Sequence, residues 1–231
     1  MWLPFIGIIA ELILLSFIAR QFTQTGFILL LRLFRSRSVA ITIITILLFP
    51  GTVIHELSHL FTAEIFGIHT GKLTLAPESI EGEDIQSGSV SIAQTDPFRR
   101  TLIGVSPTTN GTIAVTALSW WLVNVIHYER YILINTNISI IIIFYLILAI
   151  SNTMFTSKED TKGVIPVFLT ILIIIAGLYM TGIRIGLPPG MTQGIQTIIQ
   201  SLFQNLGIAL CMNLVGLALF SGILLLVAKR R

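Results

Sequence analysis

His55-Glu56-Leu57-Ser58-His59 places two imidazoles and a carboxylate within one turn and a half of a helix. Residues four apart share a helix face, so both histidines can reach one metal ion, and Zn²⁺ suits imidazole donors. The glutamate between them can take a proton from water at that ion. The chemistry this pattern supports is metal-assisted hydrolysis. Its surroundings narrow the choice, because residues 41–50 carry no charge at all. Polar groups in hydrocarbon cost several kcal/mol unless they are satisfied. A bound cation is one way to satisfy them, and a polar face lining a helix bundle is the other.

Composition says what must hold these residues. The 231-residue chain is 54% hydrophobic and 11% charged, which excludes an ordinary soluble globular domain and fits an integral, multi-pass membrane protein. Its net charge of +3 reflects scarce acids, so no nucleic-acid partner is expected; the partner by composition is the lipid bilayer. The lone Cys211 offers no disulfide framework and is expected as a small buried hydrophobe. Met1-Trp2-Leu3-Pro4 has no basic leader, so the first apolar stretch is expected to be a retained span.

Six stretches reach the length of about 20 residues that a bilayer crossing needs. They are 3–19, 39–66, 108–126, 132–155, 164–183 and 206–228. Pro50-Gly51 should kink or restart the second, leaving the histidines on its later part. Between the first two, 21–38 carries Arg32, Arg35 and Arg37 and suits an interfacial or short re-entrant segment. Within 67–100, residues 72–76 and 89–93 alternate apolar and polar around an acidic turn, which reads as two short strands or a solvated loop. After Pro188-Pro189-Gly190, apolar residues from Ile195 to Leu206 at helical spacing oppose four glutamines, as in an interfacial amphipathic helix. The expected fold is therefore an all-α integral membrane protein of about six transmembrane helices, with a membrane-associated β-hairpin and that interfacial helix. Grouping 67–100, 156–163 and the C-terminal tail on one side gives that side 8 of 14 Lys and Arg, a vote for a site facing the cytoplasm of a cell membrane.

Two histidines leave zinc short of a protein ligand, since catalytic sites typically supply three. Glu64, five residues beyond His59, points well around the helix. Other acids are Glu78, Glu81, Glu83, Asp84 and Asp96 in the polar connection, and Glu159 and Asp160 after the fourth stretch, where a helix end meeting water is the simpler account. His69 and His127 read as interfacial histidines.

The segment from Gly51 through His59, followed by Phe66-Gly67-Ile68, resembles the site-2 protease family of intramembrane zinc metalloproteases. Ser106-Pro107-Thr108-Thr109-Asn110 is similar to that family's Gly-Pro-x-x-Asn opening of the intervening span, and Asn152 and Asp160 keep the eight-residue offset of its Asn-x-x-Pro-x-x-x-x-Asp-Gly motif. Phe155 stands in place of that Pro and Thr161 in place of that Gly. The resemblance covers roughly 51–163 and implies one membrane-embedded protease domain over 1–231, with a catalytic core near 39–163, accessory helices at 164–231 and no PDZ-like module. It implies Zn²⁺ held by His55, His59 and Asp160, with Glu159 a possible substitute, and Glu56 as general base. It also implies that Asn152 binds substrate, donating to its backbone or to the developing oxyanion. The substrates would be membrane proteins with a transmembrane segment, cut in regulated intramembrane proteolysis, with the hairpin holding them extended; the oligomeric state is left open. The rival readings are a prenyl-protein-processing type of membrane zinc protease, and a transporter or inactive scaffold that uses the His-Glu cluster for ions or protons.

Overall fold

The computed structural model describes residues 2–75, 79–81, 84–86, 89–93, 95–128, 136–155 and 189–229, together with Thr170, Ile173, Gly177, Met180 and Thr181. In chain order the elements are α1 (Trp2–Phe34), α2 (Arg37–Ile65), β1 (Thr70–Thr74), β2 (Ser79–Glu81), β3 (Asp84–Gln86), β4 (Ser89–Ile92), α3 (Pro97–Tyr128), α4 (Thr136–Thr153) and α5 (Pro189–Lys229). Among the described residues three helices, α1, α2 and α5, are long and apolar enough to cross a membrane. α3 has the length but carries Thr, Ser and Asn along its course, and the apolar part of α4, Ile138–Thr153, is shorter.

Burial differs from that of a water-soluble protein in its apolar outer surface and its buried polar side chains. Ile46, Ile113 and Leu225 are each more than 60% exposed, whereas Thr52, His55, Glu56, Ser119, Ser151, Asn152 and Asn213 are buried. An apolar exterior that also encloses buried polar side chains is the arrangement a lipid solvent selects. Cys211, expected to be buried, lies exposed on α5 for the same reason: the outer face of this helix asks only for apolar character.

α1 runs unbroken through the segment expected to lie apart in the interface. Its 33 residues span about 50 Å, more than the roughly 30 Å of a hydrocarbon core. No Pro interrupts it, and Gly26 is used for packing: a Cβ there would sit 3.0 Å from the Phe220 ring and 3.1 Å from Ile44. Only at Arg35, with φ 53°, does the chain leave the helix, its N–H bonding back to the Leu31 carbonyl. Ser36 then caps α2, its hydroxyl accepting from the Val39 N–H at 3.4 Å. α5 likewise absorbs the amphipathic segment and the last apolar stretch into one helix of 41 residues. Asn205, at the expected junction, turns its amide back to the Ser201 carbonyl at 2.8 Å and leaves the main-chain ladder intact. α2 also continues through Pro50-Gly51 without restarting.

α1 and α5 pack side by side: Gly7 lies against Phe203, Phe22 against Phe220 (centroids 4.8 Å apart) and Gly26 against Phe220. Positions rise together on both helices, so the two run parallel. α5 does not run opposite to α1. Its C-terminal end therefore lies with the Arg35 turn and away from the hairpin. Lys229 thus stands at the end of the bundle opposite the hairpin.

The hairpin is present. β1 pairs antiparallel with β4 (Leu73 opposite Val90, Thr74 opposite Ser89), and β2 pairs with β3 (Ile80 opposite Ile85). The core joins Val115 and Leu122 of α3, Ile143 and Ile147 of α4, and Leu206 and Ala209 of α5. A smaller cluster of Ala63, Ile68 and Ile103 fastens the end of α2 to the start of α3.

Candidate metal centre

Gly51, His55, His59 and Ala63 recur every four residues, so they form one stripe of α2, and all four are buried. At Gly51 the stripe meets α4 so closely that a Cβ would collide with the Ala149 carbonyl and the Thr153 hydroxyl. α3 closes on the same end of α4: a Cβ on Gly111 would lie 2.6 Å from Met154 Cβ, and Thr108 Oγ1 donates to the Met154 carbonyl at 3.0 Å. Glycine at 51 and 111 is what lets three helices converge beside the histidines. His59 lies six residues, about 9 Å, before the end of α2, close to the hairpin.

The two imidazole rings stand edge to face with centroids 4.9 Å apart, and His55, Glu56 and His59 are each no more than 6% exposed. His59 Nδ1 lies 2.9 Å from the Ile103 carbonyl of α3. A carbonyl only accepts, so Nδ1 carries a proton, and in the neutral ring Nε2 then keeps the lone pair, the form in which an imidazole binds a metal. Two buried imidazoles on one stripe, one with its tautomer set by a main-chain oxygen and a carboxylate beside them, fit a zinc ion on the chemistry of the donors.

Of the other expected site residues, Asn152 stands in the last turn of α4, 4% exposed. Its Nδ2 donates to the Leu148 carbonyl at 2.8 Å and to Asn213 Oδ1 at 2.6 Å. Asn213 Nδ2 in turn donates to Ser151 Oγ at 2.7 Å and to the Ala209 carbonyl at 2.9 Å. Because Leu148 and Ala209 present carbonyls, both amides have only one consistent orientation. Both hydrogens of the Asn152 amide are thus used, and its buried Oδ1 has no partner among the described residues. In this structure the donor capacity of the side chain is used within the protein, and Oδ1 is the atom left open. Asp160 and Glu159 lie outside the described residues, and among those described no three His, Cys, Asp or Glu side chains gather as a metal site.

Glu64 is exposed and accepts from Thr70 Oγ1 at 2.6 Å, tying α2 to β1. Phe66-Gly67-Ile68 ends α2 in a Schellman motif: Gly67, at φ 67°, donates to the Glu64 carbonyl and Ile68 to the Ala63 carbonyl, both at 2.9 Å. The proline of Ser106-Pro107 opens no helix, since α3 begins ten residues earlier at Pro97. Asn213 escapes a reading from sequence, although a lone Asn in the apolar stretch 206–228 is the signal that marks it. Comparison with family models, with curated proteins and with solved structures finds no match to the chain.

Proposed function

We propose that this protein is an intramembrane zinc metalloprotease of the site-2 protease kind, multi-pass, with five or more crossings, cutting peptide bonds in membrane proteins that present a transmembrane segment. The supporting observation is the buried His55–His59 pair with Glu56 beside it and the His59 tautomer set for a metal. In this reading His55 and His59 hold Zn²⁺, and Asp160 supplies the third ligand. Bound zinc would acidify water and polarise a scissile carbonyl. Glu56 would act as general base toward the attacking water and return the proton to the leaving amine. Asn152 Oδ1 accepts from a main-chain N–H of the substrate, a donor that a substrate offers once its helix is unwound. The β1–β4 hairpin, a few residues beyond the histidines, has an edge on which such an extended segment can pair.

Co-expression with a panel of single-span membrane proteins, wild type against Glu56→Gln, tests the reading. Cleavage by the wild type and none by the variant is expected, with about one zinc per chain in both. Cleavage that persists in Glu56→Gln removes the general base, and purified protein without zinc removes the metalloprotease.

A further inference from the structure

The oxygen that holds His59 is available because of the residue four positions after it. In a helix the Ile103 carbonyl would accept from the N–H of residue 107, and residue 107 is proline, which has none. The pyrrolidine ring also presses on that carbonyl and tilts it off the helix axis. Pro107 is fully buried, and Ile103 and His59 are 2% and 6% exposed, so water does not supply the missing donor. Two side chains do. Ser106 Oγ donates at 2.6 Å and His59 Nδ1 at 2.9 Å, filling both lone pairs.

We propose that Pro107 is a positioning residue for His59: by withholding one backbone donor, it reserves the Ile103 carbonyl for the imidazole and presents Nε2 as the ligand nitrogen. The ring orientation follows from the geometry alone, while the ligand role rests on the metal reading above. A restored N–H at 107 would compete for the same oxygen. The His59 Nδ1 then loses this contact, and with it the bond that favours the Nδ1–H form over the Nε2–H form.

The test is ¹⁵N NMR of histidine-labelled, metal-free protein in detergent near pH 8.5, where an ordinary imidazole is neutral. With 4 histidines the spectrum is tractable, and His59→Gln assigns the signal. Wild type is expected to show His59 as Nδ1–H, and Pro107→Ala a mixture or Nε2–H, with Ser106→Ala remaining Nδ1–H. Zinc affinity of Pro107→Ala is expected to fall about tenfold, the usual scale for losing a ligand's outer partner. An Nε2–H signal in the wild type overturns the proposal whether or not Pro107→Ala folds, and so does a Pro107→Ala spectrum and zinc affinity equal to wild type. If the tautomer shifts as expected but neither protein binds zinc, Pro107 keeps its positioning role and the metalloprotease reading fails.

Discussion

Asn152 on α4 and Asn213 on α5 are joined by a hydrogen bond of 2.6 Å between side chains that are 4% and 0% exposed, which brings the last helix into the candidate site. Asn213→Ala removes one acceptor from Asn152 and leaves its buried N–H unpaired, a loss of about 1–3 kcal/mol. Asn213→Asp keeps an acceptor for Asn152 but cannot donate to Ser151 or Ala209. Thermal unfolding in detergent should place both below wild type, and a double cycle with Asn152→Ala should show coupling. Additive effects would mean that the two amides act independently.

Gly51 sets how near α2 comes to α4. Gly51→Ala drives a methyl into main chain at Ala149 as well as the Thr153 side chain, and backbone cannot swing aside. Overpacking of this kind costs about 1–3 kcal/mol, and zinc retention and cleavage should fall with it. Gly222→Ala, with nothing within 4 Å of the new Cβ, is the matched control and should leave both unchanged.

The third ligand separates by metal content. Asp160→Ala should lose most of the zinc that the wild type retains on purification, with Glu159→Ala retaining it. The reverse pattern assigns the role to Glu159, and full zinc in both variants removes this segment from the site.

Asp96 caps α3, accepting from the Arg99 N–H at 3.0 Å, and that bond, with the nearby Arg99 guanidinium, holds its carboxyl below the ordinary range. A depressed acid contributes stability that is present above its unfolded value, about 3.9, and is lost as pH falls through the folded one. The difference in thermal midpoint between wild type and Asp96→Ala should therefore be constant from neutral pH down to about 5 and shrink below about 4. A difference that grows on acidification would contradict the cap.

Gly67, at φ 67°, occupies backbone space that a Cβ disfavours by about 1 kcal/mol. Gly67→Ala should loosen the joint between α2 and β1, seen as faster amide exchange at Ile68 with little change at His55. Equal acceleration at both sites would mean that the joint and the helix open as one unit.

Legibility in the sequence followed the range of the interaction. The His-Glu pair was readable because both histidines belong to one helix, where spacing alone fixes the face. The β1–β4 hairpin was readable from alternation and an acidic turn. Helix ends were not, because a change of polarity near Gln21 or Asn205 resembles an interface crossing, while the hydrogen-bond ladder of the backbone continues through any residue that supplies an N–H. The direction of α5 is set by which glycines meet which rings across α1, and the use of the second Asn152 N–H depends on a partner 61 positions away. Neither leaves a local trace.

The partner of His59 at position 103 is a peptide oxygen, and every amino acid brings one. Substitutions there will register as changes in apolar packing, and a mutational scan will score the position as tolerant of any similar hydrophobe. In the role proposed for Pro107 the heritable specification of the imidazole's partner resides instead at codon 107. Selection on the chemistry of this site would thus be visible as intolerance of a proline four residues away from the atom it governs.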